Sequence, residues 1–353
     1  MTIRLRKYIT ANVYKIVMTL CILCTITSCK KYNLERTNPR DIEAENYNPH
    51  VPTVTTTSPP IDISLNSAAI GGAVAFDGNS KITSRGICYS LNLNPTINDN
   101  KKLTDGELGV FAVNLSGLAP NTNYYARAFA TNAAGPGYGN NVPFTTYAVF
   151  DRDGNFYHGV LIGTQLWMKE NLKTTKYNDA TAIPIITDNT TWSNLTTPGY
   201  CWYNNDAATY KNIYGALYNW YTVNTGKLCP TGWHVPTDTE WHTLALTLDV
   251  NAQLISGVES SIAGGKLKET GTTHWNSPNT GATNETGFTA LPGGVRYQGG
   301  GAFGSIGLFG NWYTSTEYDA TTVWSRSMSY NNVNITRSSL GMKNGFSVRC
   351  LKN

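Results

Sequence analysis

Three stretches late in the chain constrain its fold more than any other feature. They are Cys229-Pro230-Thr231-Gly232-Trp233-His234-Val235-Pro236-Thr237-Asp238-Thr239-Glu240-Trp241, Gly287-Phe288-Thr289-Ala290-Leu291-Pro292-Gly293-Gly294 and Gly345-Phe346-Ser347-Val348-Arg349-Cys350. Gly, Pro, Trp and Cys recur in them, residues that fix backbone shape rather than move protons. The stretches predict a compact structural module and argue against an obvious active site.

A chain of 353 residues has room for two domains and a tail. Only 14% of it is charged, and Gly, Asn, Thr and Tyr are abundant, which suits all-β or loop-rich secreted proteins. The formal charge of +4 misleads: Arg4, Arg6, Lys7 and Lys15 all precede Cys29, and without them the bases equal the 23 acids. A neutral chain offers no electrostatic footprint for phosphates, so nucleic-acid binding is not expected.

Residues 1–28 read as an export signal, with a basic start and an apolar run over residues 16–26. That run is too short to span a bilayer, which takes about 20 apolar residues. It ends at Ile26-Thr27-Ser28-Cys29, which resembles a bacterial lipoprotein processing site. The resemblance implies that Cys29 becomes an acylated N-terminus holding the protein to the outer membrane, facing periplasm or exterior. Each buried methylene contributes about 0.8 kcal/mol, so several acyl chains give near-permanent attachment. Ordinary signal cleavage nearby is the alternative. Cys88, Cys201, Cys229 and Cys350 then remain in an oxidising compartment, and four cysteines allow three pairings. Cys229 and Cys350 lie inside the shape-fixing stretches and are expected to pair, leaving Cys88 and Cys201 as separate buried thiols.

Residues 29–53 are polar, lack an apolar period and read as a tether. Over residues 54–147, short apolar runs alternate with turn residues, as in Ile70-Gly71-Gly72-Ala73-Val74-Ala75-Phe76 and Tyr124-Tyr125-Ala126-Arg127-Ala128-Phe129. This spacing predicts an all-β antiparallel sandwich. Leu118-Ala119-Pro120-Asn121-Thr122-Asn123-Tyr124 resembles the corner of fibronectin type III domains, where a Tyr hydroxyl bonds the upstream backbone. Such modules usually act as spacers.

Residues 148–353 hold all nine tryptophans. Asp153-Gly154 marks a hairpin turn between Phe150 and Phe156. Two short helices are expected. In one, Tyr214, Leu217, Tyr218 and Tyr221 share a face; in the other, Trp241, Leu244, Ala245 and Leu248 do, opened by a Thr237/Glu240 capping box. The Gly- and Asn-rich residues 271–311 read as a long surface loop, with strands resuming at Trp312, Val323 and Phe346.

Asp153-Gly154-Asn155, Gly163-Thr164-Gln165-Leu166-Trp167-Met168-Lys169-Glu170-Asn171-Leu172, Tyr214-Gly215-Ala216-Leu217-Tyr218-Asn219-Trp220-Tyr221 and the three opening stretches occur in this order. Together they resemble the Fibrobacter succinogenes major paralogous domain, found in exported proteins of Bacteroidetes and Fibrobacteres. That resemblance implies an extracytoplasmic protein with no established reaction. A weaker likeness, in the Thr237–Trp241 segment and the Arg349-Cys350 ending, is to the C-type-lectin-like fold shared with formylglycine-generating enzymes. It implies an α+β domain in which two short helices lie against small antiparallel sheets.

Several motifs invite chemistry and read better without it. Gly299-x-Gly301-x-x-Gly304 fits a dinucleotide fingerprint, but more glycines follow where a helix must open. Asp151-x-Asp153 lacks the rest of a calcium loop, and Asn204-Asn205-Asp206 has no companion motif later in the chain. His234 and His242 lack the spacing of a helical zinc pair. No metal and no cofactor are expected, and an enzyme is not. An adhesion or glycan-binding module is, with a structural or protein-partner role in an envelope assembly as its rival. Formylglycine-type catalysis, which needs paired reactive thiols, is a minor alternative. Tyr297, Trp312 and Tyr313 flank the Gly-rich region and are the expected platform for sugar rings, with Asn276, Asn279 and Asn284 bonding hydroxyls.

Overall fold

A computed structural model describes residues 42–43 and 47–353. The signal segment and the proposed lipid-bearing Cys29 lie outside the described residues. Two bodies follow one another along the chain.

The first body is a sandwich of two antiparallel sheets. One holds β1 (Thr53–Thr56), β2 (Ser67–Phe76) and β5 (Gly109–Ser116), in the order β1-β2-β5. The other holds β3 (Ser84–Ser90), β4 (Asn100–Thr104), β6 (Asn123–Asn132), β7 (Gly135–Tyr138) and β8 (Val142–Thr145), with β6 pairing β3, β7 and β8. Burial alternates along most of β2, so every second residue faces the other sheet. Ile70, Val74, Ile87, Leu115 and Phe144 form the core with Tyr124. At the corner, the Ala119 amide donates to the Tyr124 hydroxyl at 3.0 Å, and the Tyr124 ring stacks on Phe144. The sandwich also takes in chain assigned to the tether: the His50 amide donates to Gly78 O, and Asn132 Nδ2 donates to His50 O at 2.7 Å.

The second body begins with the expected hairpin, β9 (Val149–Phe150) against β10 (Phe156–Tyr157), with Gly154 at φ 79° in its turn. Strands β11 (Gly159–Ile162), β12 (Gln165–Met168), β15 (Trp233–His234) and β22 (Leu351–Lys352) form one sheet in the order β11-β12-β22-β15. A second sheet, β16-β21-β20-β19, uses Gly257–Ser260, Ile335–Gly341, Thr322–Ser329 and Phe309–Glu317 respectively. Two hairpins complete the strands: β13 (Tyr200–Cys201) with β14 (Leu217–Tyr218), and β17 (Gly293–Arg296) with β18 (Phe303–Ile306). Five short helices are interspersed: α1 (Asn189–Asn194), α2 (Ala207–Tyr214), α3 (Trp220–Val223), α4 (Asp238–Leu248) and α5 (Ala263–Leu267).

Helix α4 carries its capping box: the Glu240 amide donates to Thr237 Oγ1 and the Thr237 amide donates to Glu240 Oε2. The expected helix through Tyr214 and Tyr221 is corrected. Gly215, at φ 76°, ends α2 because a left-handed residue cannot continue it, and Leu217 and Tyr218 enter a strand. A side chain at Gly215 would also lie 2.7 Å from Leu172 O. Residues 271–311 are likewise more ordered than one surface loop. They contain the β17–β18 hairpin and the start of β19, with Trp275 and Phe288 buried beneath. Phe346 makes only an isolated bridge to Tyr218; the last strand is β22.

The bodies meet along a short seam. The Tyr147 amide donates to Ser64 O, Gly159 N donates to Asn121 Oδ1 at 2.8 Å, and the Tyr147 ring stacks on Phe156. A disulfide joins Cys229 to Cys350, whereas Cys88 and Cys201 are free and buried. Among the described residues no helix is long and apolar enough to cross a membrane.

Candidate binding groove

The motif residues converge on a buried node at Asn171. Its Oδ1 accepts from Trp312 Nε1 at 3.0 Å and from Arg349 Nε at 2.9 Å, while its Nδ2 donates to Tyr214 O and Ser347 Oγ. Arg349, fully buried, lies over the Phe288 ring and donates to Phe288 O and Thr289 O. Four separated motifs are thereby tied together, which explains their composition. The node is closed to solvent, so it holds the fold and offers no site.

Other buried cations act the same way, and no local sequence signal marks them. Arg296 donates to Ile186 O, Thr187 O, Asn189 Oδ1 and Gly301 O, sandwiched between Trp192 and Phe303. Lys268 gathers Thr280 O, Ser329 O and Asn332 O at 2.8–3.0 Å, and burial pushes its ammonium down to about 8. Arg326, between Asp238 and Glu259, heads an ionic cluster that Arg337 and His242 complete.

His158, His234, His242 and His274 each pair with a glutamate: Glu170, Glu240, Glu259 and Glu269 respectively. Among the described residues no three His, Cys, Asp or Glu side chains are placed to hold a metal. Asp151 accepts from the Asp153 and Asn155 amides, from Asn155 Nδ2 and from Tyr157 Oη, so its oxygens serve a turn. Burial pushes the Cys88 thiol up to about 11 and that of Cys201 to about 12, so neither is a nucleophilic thiolate near neutrality. The glycine-rich 299–304 segment runs into strand β18 where a dinucleotide site needs a helix.

Of the expected platform, only Tyr297 is open, at 42% exposure. Trp312 and Tyr313 are fully buried, which corrects their assignment. Strand β19 separates two apolar cores: Trp312 faces one beside Trp241, and Tyr313 faces the other against Phe346. Consecutive large apolar residues mark a strand covered on both sides. Asn279 is also buried, donating to Glu269 O and Gly271 O. Asn284, half-buried at φ 48°, braces its own loop through Thr289. Asn276 is exposed, but its amide is bonded to Gly307 O and its side chain lies against Gly307. None of the three asparagines lines the groove beside Tyr297.

That groove, of about 200 Å³, is lined by Val295, Tyr297, Ser305, Phe309, Asn311, Leu340, Asn344 and Phe346. Strand geometry explains the set. Val295 in β17 and Tyr297 just beyond its end are two residues apart, as are Phe309 and Asn311 in β19, so the side chains of each pair project to one side. Phe309, 38% exposed, supplies a second open ring, which the sequence reading missed. Tyr297 Oη and Ser305 Oγ share one hydrogen bond of 2.9 Å. Asn344 is committed to the Gln298 amide and Gly341 O, whereas Asn311 Oδ1 has no partner among the described residues. A larger cleft of about 310 Å³ lies on the seam, where Leu65 faces Phe150, Arg152, Pro230 and Trp233.

No curated protein matches the chain. Solved structures similar to it include fibronectin type III domains, which correspond to its N-terminal part. One, from the human KIAA0970 protein, is 12% identical and covers 30% of this chain and 80% of its own at a TM-score of 0.21. Another, from human fibronectin type III domain containing protein 3, is 16% identical, with 30% and 91% covered and a TM-score of 0.19. The sensor domain of the anti-sigma factor RsgI4 in Pseudobacteroides cellulosolvens is 18% identical, with 28% and 98% covered and a TM-score of 0.22. The profile of the Fibrobacter succinogenes major domain matches residues 160–352, more than half of the chain, and the protein belongs to that family.

Proposed function

We propose that this protein is an envelope lipoprotein, anchored to the outer membrane through Cys29, whose C-terminal domain recognises glycans without catalysis. The observation that carries the reading is the Tyr297 groove, where two open aromatic rings stand beside unspent hydrogen-bonding atoms. Sugar rings present one apolar face and a rim of hydroxyls, and this pairing of surfaces matches both. The sandwich acts as a spacer between anchor and groove.

Three features support the absence of catalysis: the buried cations are spent on carbonyls and carboxylates, four of the five histidines pair with glutamates, and the free thiols are buried. A C-type-lectin-like arrangement is supported by the pairing of β12 with β22, which brings the two ends of the second body together. The anchor is supported by the apolar run ending at Thr27-Ser28-Cys29. The rival, a structural or protein-partner module, draws support from the seam cleft.

Glycan-array binding by the whole chain tests the first reading. Binding that disappears with Tyr297→Ala in a folded protein supports it; a blank array sinks it and favours the partner module. Metabolic acyl labelling that fails in Cys29→Ser cells checks the anchor, and protease shaving of intact cells reports which way it faces.

A further inference from the structure

The charge around the Tyr297 groove narrows what it can hold, provided the glycan reading above is right. Among its lining residues none is Asp, Glu, Lys, Arg or His. Two cations adjoin lining residues in sequence, and one of them, Arg296, follows the strand period to the opposite face, is fully buried, and spends its guanidinium on Ile186 O, Thr187 O, Asn189 Oδ1 and Gly301 O. Lys343, beside Asn344, is directed to Ser193 O. A carboxylate entering this groove loses water and meets no cation, a cost that a neutral hydroxyl does not bear.

The polar atoms that remain fit hydroxyls. Asn311 Oδ1 accepts, and the Tyr297–Ser305 hydroxyl pair keeps capacity to both donate and accept. The volume, about 200 Å³, falls below the roughly 300–1,000 Å³ of pockets for drug-sized ligands. That space suits a single ring.

We infer that the groove takes one uncharged pyranose of a glycan, its apolar face against Tyr297 and Phe309 and its hydroxyl rim toward Asn311 and Ser305, and that it rejects uronic and sialic acids. Phe346 and Val295 form the floor beneath that ring.

The test titrates the full chain with neutral methyl hexosides and with the matching methyl hexuronides, at low and high salt, following ligand signals by saturation-transfer NMR. Neutral hexosides are expected to bind at roughly millimolar strength, as a single ring allows, with no salt dependence. Tyr297→Ala is expected to weaken binding at least tenfold and Tyr297→Phe only a few-fold, with Phe309→Ala as a second variant should the first misfold. Hexuronides that bind as tightly as hexosides, with an affinity that falls as salt rises, overturn the neutral-ring inference and leave glycan binding standing. Silence toward every glycoside, together with a blank array, overturns both. Hexoside binding that survives Tyr297→Ala and Phe309→Ala in folded protein places the sugar elsewhere and overturns the inference.

Discussion

The two bodies satisfy their buried backbone in different ways. In the sandwich, strands of up to ten residues pair along continuous ladders of seven or eight residue pairs. In the second body several strands have only two residues, so many buried carbonyls lie outside any ladder. Buried polar groups must still be bonded. Arg296 and Lys268 do this by collecting carbonyls from separated loops, and Arg349 by taking the adjacent carbonyls of Phe288 and Thr289. The sandwich repeats the device at one irregular place: Arg85 donates to Asp105 O, Leu108 O and Glu107 O in the turn between β4 and β5. Long-side-chain cations thus stand in for secondary structure at these irregular places.

This contrast predicts that single side chains matter far more in the second body. The nine tryptophans all lie there, so tryptophan fluorescence isolates its unfolding. The largest effect is expected from opening the Cys229–Cys350 bridge, which closes a loop with a sequence separation of 121. Cys229→Ser with Cys350→Ser should cost roughly 4–5 kcal/mol on the chain-entropy account, read by denaturant titration. Arg326→Met comes next, at about 3–5 kcal/mol, because Glu259 and Asp238 each lose a buried charge partner. A loss below about 1 kcal/mol in either case would break the comparison. In both variants the sandwich transition, followed by amide hydrogen exchange of strands β2, β3 and β6, should stay in place.

Lys268 sharpens the comparison through pH. Its folded value of about 8 lies below the ordinary 10.5, so the unfolded chain binds the proton more tightly. The penalty for burying the ammonium is complete below about pH 8 and is relieved as pH rises toward 10.5. Wild-type stability should therefore climb across that window relative to Lys268→Met, and parallel curves for the two proteins would refute the claim. The smallest effects are expected where a ladder or a helix already carries the load. Thr237→Ala, which removes the cap of α4, and Tyr124→Phe, which removes the corner bond of the sandwich, should each cost about 1 kcal/mol.

Local rules made part of this legible in the sequence. The Asp-Gly turn, the capping box and the tyrosine corner each depend on residues within six positions of one another, and each stands where its pattern lies. The Tyr214–Tyr221 face failed because apolar period was weighed without Gly215, whose positive φ outranks it. Trp312 and Tyr313 were misplaced because glycine-rich flanks suggested an open loop, whereas two adjacent large apolar residues already implied a strand covered on both faces. The groove was half visible. Tyr297 was within reach, but Phe309 and Asn311 join it only because β17 and β19, strands of different sheets, pack side by side. The cation ties were invisible, since Arg326 meets Asp238 and Glu259 across distances in sequence that no pattern spans.

The position of β22 has a consequence for how the chain is made. Leu351 sits between Trp167 and His234, filling the middle of its sheet. A ribosome delivers β11 and β12 early and must add nearly the whole domain before their neighbour exists. During that interval the inner edge of β12 at Trp167 has no partner strand, and so distant a pairing is slow to find. Vectorial synthesis therefore leaves this domain unsealed until its final strand arrives, which is when an escort that shields apolar surface has most to do.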